Sequence, residues 1–118
     1  MKIVYRGVRH MEKVCEIADV LKGTMKGFTV KDKQILVANV DGDFFAMDAI
    51  CSHMRGYLPS GKFEKNIVVC PVHHANFDVT TGKVVKDVPR LMRMMIHGAK
   101  DLQTYKISIK DDSVFIEL

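Results

Sequence analysis

The chain has 118 residues, 47% of them hydrophobic, enough for the core of one domain of ordinary size, with no low-complexity tract or internal repeat. Its net charge of +4 is spread over scattered basic residues without interleaved aromatic side chains, which argues against a nucleic-acid surface. No apolar run approaches the roughly 18 residues a bilayer span requires, and no charged-then-apolar leader opens the sequence. A soluble, cytoplasmic protein is therefore expected, with no membrane or nucleic-acid partner.

Short β-favouring runs follow one another along the chain. Residues 1–12, with Ile3-Val4-Tyr5, read as an extension that adds an edge strand. Lys13-Val14-Cys15-Glu16-Ile17 is strand-like and carries a cysteine expected to be a small buried apolar residue. Phe28-Thr29-Val30, Ile35 to Val40, Phe44 to Met47 and Ile67 to Val69 come next, with turns expected at Lys31-Asp32-Lys33 and Asp41-Gly42-Asp43. Pro59 and Gly61 shape the connection before the last of these runs. After Pro89, the methionine-rich stretch Leu91-Met92-Arg93-Met94-Met95-Ile96 reads as a helical turn or loop packed against the rest of the domain. An adaptable docking surface is the alternative, because methionine suits surfaces that repack. Tyr105 to Ile109 and Val114 to Leu118 flank Lys110-Asp111-Asp112-Ser113 and read as a closing hairpin. The fold class is all-β and antiparallel.

Two short pairs of metal-ligand residues stand out between these strands. Cys51-Ser52-His53 and Cys70-Pro71-Val72-His73 each offer one thiolate and one imidazole, with sixteen residues separating His53 from Cys70. Zinc fingers place two to four residues between paired cysteines and three to five between histidines, whereas both pairs here are mixed. In extended chain, residues i and i+2 lie roughly 6–7 Å apart, a reach that suits two neighbouring irons without excluding one ion. Cys₂His₂ ligation of this kind is used by Rieske [2Fe–2S] centres, where two histidines replace two cysteines on one iron. A zinc-stabilised interaction module remains the bland alternative.

Around these ligands the chain resembles the Rieske ferredoxin family. The stretch from Val40 through Asp48 to His53 is similar to the family's strand leading into its first ligand loop. Cys70 to Asp78, with Thr81-Gly82 after it, is similar to the second loop and the following turn. The resemblance covers residues 13–90 well and the C-terminal hairpin more loosely; residues 90–103 fit least. It implies a Rieske-like fold in one domain over residues 1–118, with a β base (1–49 and 84–118) and a cluster-binding subdomain (50–83). Cys51 and Cys70 would bind one iron of a [2Fe–2S] cluster and His53 and His73 the other, leaving the histidine edges near solvent. The implied role is electron transport by a ferredoxin that carries single electrons from a reductase to a terminal oxygenase, such as a dioxygenase, or to another redox enzyme. Such a protein is not itself an enzyme. A small Rieske subunit of a larger enzyme, such as a nitrite reductase, is the alternative within the family.

Several departures from the family refine this picture. High-potential members carry an extra cysteine in each ligand loop; here Arg55-Gly56 and Val72 stand in those regions, so that disulfide cannot form. The serine and tyrosine that donate to sulfur in those proteins correspond to Ala75 and Phe77, which have no side-chain donor. A low-potential centre is expected, because donors to sulfur favour the reduced, more negative state. His74 replaces a common glycine and is expected to be a solvent-side neighbour, while His10 and His97 lie outside the motif as surface or packing residues. Cys15 is left without a disulfide partner, in keeping with a reducing compartment. Residues 50–93 hold seven basic and three acidic side chains, leaving eleven of each sign elsewhere. The excess positive charge thus surrounds the ligand loops, and a partner with an acidic docking surface is expected.

Overall fold

Three two-residue turns organise the base of the molecule in a computed structural model that describes residues 10–95 and 97–118. Lys31-Asp32, Asp41-Gly42 and Asp111-Asp112 all have positive φ at both positions, the backbone of the hairpin turn whose twist matches the flanking strands. They join β2 (Met25–Val30) to β3 (Lys33–Val40), β3 to β4 (Asp43–Asp48), and β10 (Ile107–Lys110) to β11 (Ser113–Glu117). Each turn falls where the polar residues of the sequence place it. The expected strand at Ile3-Val4-Tyr5 lies outside the described residues.

Among the described residues every pairing is antiparallel, and the strands form three sheets. β1 (Met11–Glu16), β11 and β10 make the first; β2, β3, β4 and β9 (Thr104–Tyr105) make the second. The third comprises β5 (Lys62–Glu64), β6 (Ile67–Val69), β7 (Asn76–Asp78) and β8 (Val84–Lys86). This last sheet extends to Lys86, with Val84 paired to Phe77 and Lys86 to Asn76. β5, β7 and β8 are three residues each, too short to carry a visible period of two.

β3 explains the layering. Ile35 through Asn39 are all buried, as expected of a strand covered on both faces. Alternate side chains serve different cores: Ile35 and Val37 join Cys15, Val20, Val114 and Ile116, whereas Leu36 and Ala38 join Met47, Leu58, Val68 and Phe77. The second sheet is therefore the middle layer. Its far side carries Cys51 and Cys70 within the same packed cluster, so the ligand loops rest on core rather than projecting from it.

The C-terminal run that reads as one strand is divided at Lys106. Thr104-Tyr105 pairs with β4 in the middle sheet, and Ile107 onward pairs with β11 in the first. Tyr105 is anchored at the crossing by its hydroxyl, which donates to Asp48 Oδ1 at 2.5 Å. The methionine-rich segment forms α1 (Arg90–Met95), which packs Met92 against the core cluster that holds Leu36 and Met47 of the base together with Cys51 and Cys70. Val88, fully buried just before it, draws the segment to that side.

Asn39 closes the turn at Asp41-Gly42 from inside the core. Its Nδ2 donates to the Val20 carbonyl at 2.9 Å and its Oδ1 accepts the Gly42 N–H at 2.7 Å. Replacing it with alanine strands both backbone groups, so Asn39→Ala should lose about 1–3 kcal/mol in urea denaturation.

Candidate metal centre

The two ligand loops are built on the same local plan. In each, the cysteine N–H donates to the carbonyl five residues on: Cys51 to Gly56 and Cys70 to Ala75, both at 2.8 Å. In each, the cysteine sulfur accepts the N–H two residues on: from His53 at 3.5 Å and from Val72 at 3.4 Å. Left-handed backbone lets the loops turn so tightly. Arg55, His73 and His74 have φ of 58°, 63° and 62°. Such residues cost of order 1–3 kcal/mol each and persist where their surroundings over-determine them. Loop 1 is tied off by the bridge between Ile50 and Tyr57, and loop 2 by β6 and β7.

Placed side by side, the loops pair like with like. Cys51 lies close enough to Cys70 to raise its pKa, and the rings of His53 and His73 meet edge-on with centroids 5.5 Å apart. Among the described residues, no set of three or more His, Cys, Asp or Glu donors is gathered as for a single ion. The four donors instead form a sulfur pair and an imidazole pair. Burial pushes the Cys70 thiol up to about 11, with the neighbouring Cys51 adding to the effect. Burial also lowers the His53 pKa, helped by repulsion from His73 and His97, so its imidazole is neutral and keeps the lone pair a metal needs.

His53 shows what the site lacks in protein partners. It is 3% exposed, and neither ring nitrogen has a hydrogen-bond partner. A buried polar group left in that state costs about 1–3 kcal/mol. Metal ligation at one nitrogen would remove part of that cost, and two thiols held together in a dry pocket are suited to the same charge-compensating role.

A model of the Rieske [2Fe-2S] domain matches residues 10–106 of this sequence. The chain belongs to the Rieske [2Fe–2S] domain family. The ferredoxin component of the naphthalene 1,2-dioxygenase system of Pseudomonas putida is 30% identical over 111 residues, covering 94% of this chain and 97% of that protein. The ferredoxin component of biphenyl 2,3-dioxygenase from Rhodococcus jostii (strain RHA1) is 34% identical over 108 residues, or 92% of each. Among solved structures, the Sphingomonas yanoikuyae B1 ferredoxin superposes with a TM-score of 0.79 at 28% identity, covering 92% of this chain and 99% of that one. The cofactor of this Rieske domain is accordingly a [2Fe–2S] cluster of the Rieske type, and the paired donors and the unpartnered His53 ring fit it.

The structure brings together all four residues that the motif singles out, and it adds others. His74 is exposed beside His73, as the sequence suggests. The histidine edges are not equally open, however: His53 is enclosed, while His73 is only partly covered. His97 is exposed, and its ring packs edge-on against His53 with centroids 5.6 Å apart. Ser52, between two ligands, binds the Lys100 backbone, and Gly56 passes close to Cys70. No local pattern reveals these contacts, because their partners are far away in sequence.

Gly56 has the clearest steric role. A Cβ there would lie 2.6 Å from Cys70 Sγ and 3.1 Å from Val72 Cγ2. Gly56 and Val72 thus face each other across the loops, where the sequence comparison puts the missing disulfide. Gly56→Ala should lower the iron and acid-labile sulfide bound per chain while preserving the β-sheet circular dichroism of the fold.

Proposed function

We propose that this Rieske domain is a ferredoxin that carries single electrons from a reductase to a terminal oxygenase or another redox enzyme. The observation that carries this reading is the segregation of the four donors into a Cys51–Cys70 pair and a His53–His73 pair. That arrangement supports Cys51 and Cys70 as ligands of one iron and His53 and His73 as ligands of the other. When bound, the cluster supplies reversible one-electron chemistry. Support for the carrier role comes from the relatives, which are ferredoxin components matched over nearly their whole length.

The chain's own residues supply ligation, a controlled environment and a surface. Core packing around Cys51 and Cys70 keeps water from the sulfur side, and the i+2 N–H groups donate to both sulfurs. Ala75 and Phe77, both fully buried, add no hydroxyl donor. A low potential follows, suited to passing electrons onward rather than holding them. Lys62 and Lys86 stand at the outer strands of the third sheet in one cross-strand row with Val69 and Asn76, giving this side positive charge. Charge complementarity of that kind speeds encounter with an acidic partner more than it sets affinity. No helix of the described residues is long and apolar enough to cross a membrane. With all three cysteines free and buried, we place the carrier in the cytoplasm.

Recombinant protein produced with ample iron should contain two irons and two acid-labile sulfides and give a Rieske-type paramagnetic signal on reduction. Cys51→Ser and His73→Ala should each abolish or alter that signal; an unchanged spectrum in either overturns the ligand set. Ala75→Ser combined with Phe77→Tyr should raise the midpoint in protein-film voltammetry, by about 60–130 mV for each hydroxyl that reaches sulfur.

A further inference from the structure

One carboxylate stands where the third sheet, the segment after α1 and the two ligand loops meet. Asp87 directly follows β8, and its Oδ1 accepts the N–H groups of Val88 at 2.7 Å and Ala99 at 2.9 Å. Its Oδ2 lies so near Gly98 that a Cβ built there would come within 2.7 Å of it. Gly98 and Ala99 belong to a strap whose next residue, Lys100, is gripped by Ser52 of loop 1. Ser52 Oγ donates to the Lys100 carbonyl at 2.6 Å and accepts its N–H at 2.8 Å. At the head of the strap, the His97 ring packs edge-on against His53. On its other side Asp87 lines a shallow groove together with His73, His74, Lys86 and Pro89. Asp87 is thereby placed beside both imidazoles of the proposed ligand set.

The charge on this carboxylate is fixed. The Ala99 N–H, aided by the Val88 N–H and the positive charge of Arg93, outweighs burial and holds Asp87 below the usual carboxylate range. It is therefore anionic throughout the neutral range. Of the charged neighbours that act on the His53 ring, His73, His97 and Asp87, it is the one acid. Lys86 and Arg93 lie near Asp87 with the opposite sign, but both are exposed, and water and salt screen them more than the half-buried carboxylate.

Reduction adds one electron, and with it one negative charge, to the cluster. A fixed anion beside the imidazole pair opposes that addition, more strongly in partly buried surroundings than across open water. We infer that Asp87 is a potential-setting residue: it ties the strap to the third sheet through Val88 and Ala99, and its charge lowers the midpoint of the centre. The low potential then has a source separate from the missing hydroxyls at Ala75 and Phe77. No bond is made or broken in the chain. The inference rests on the ligand set proposed above.

Protein-film voltammetry of the loaded protein at neutral pH and low ionic strength tests it. Iron, sulfide and the paramagnetic signal are first matched across the variants. Unmutated protein without a Rieske signal overturns the ligand set; a normal signal with no effect at Asp87 overturns this inference alone. Asp87→Asn keeps Oδ1 as an acceptor for both N–H groups and removes only the charge. It should favour the reduced state about ten-fold, a rise of about 59 mV for one electron. Asp87→Glu, which keeps the charge, should stay close to the unmutated value. Asp111→Asn removes the same charge from the β10–β11 turn, whose left-handed backbone suits asparagine, and should leave the midpoint unchanged. Asp87→Ala should combine the rise with faster amide exchange at Ala99, which Asp87→Asn should not show. Arg93→Gln removes the cation beside Asp87 and should lower the midpoint; if Asp87→Asn loads poorly, an unchanged value here decides against the inference. An unaltered midpoint in loaded Asp87→Asn would overturn it, as would equal rises in Asp87→Asn and Asp111→Asn.

Discussion

Two equivalent backbone hydrogen bonds, Cys51 to Gly56 and Cys70 to Ala75, are the constraint on which the site depends. Each closes a loop of the same size, carrying a cysteine and then a histidine two residues on in loop 1 and three residues on in loop 2. Placed side by side, the loops bring the His53 and His73 rings edge-on to each other and Cys51 next to Cys70. The left-handed residues Arg55, His73 and His74 are the conformational cost of this closure, and the flanking sheet pairings hold them in place. Gly56 completes the arrangement by contributing no side chain where the loops come closest.

The loops can hold such a geometry because they stand on a core. β3 is buried on both faces, and its Leu36 and Ala38 face the same packed cluster that contains Cys51 and Cys70. A fault in the middle sheet is therefore transmitted to the ligand loops, whereas the first sheet packs against the other face with its own set of residues. Tyr57 reinforces the connection from loop 1: its hydroxyl presses on Gly27 of β2 so closely that a Cβ there would collide with it. The short third sheet supplies the opposite support through β6 and β7, which lead into and out of loop 2.

Burial sets the electrostatic character of the centre. It holds the Cys70 thiol protonated to high pH and the His53 ring neutral when no metal is present. In the proposed ligand set, the positive charge of the irons would reverse the preference of the thiols, coupling metal binding to thiol deprotonation. Ala75 and Phe77 offer no hydroxyl, and the backbone N–H groups of His53 and Val72 donate to the two sulfurs. In the proposed carrier role, the basic side chains act on encounter with partners across solvent, where salt screens them.

The order of the four candidate ligands, their Cys-Pro-x-His context, the antiparallel strand class and the three tight turns were legible in the sequence, because each depends on residues near one another in the chain. Runs of β-favouring residues marked β2, β3, β4 and β6, and polar pairs marked the reversals between strands. The three-residue strands β5, β7 and β8 left no such trace, and the sheet switch at Lys106 is invisible in a run that is β-favouring throughout. Only the tertiary structure decided that Met92 of α1 joins the core cluster holding Cys51 and Cys70, that Gly56 must clear Cys70, and that the His53 ring is buried with His97 against it while His73 stays partly open. Those outcomes join residues up to 48 positions apart, as Ser52 and Lys100 are, through contacts that exist only once the sheets have packed. Ligand identity is local chemistry and can be read along the chain; ligand exposure is a property of what folds over it.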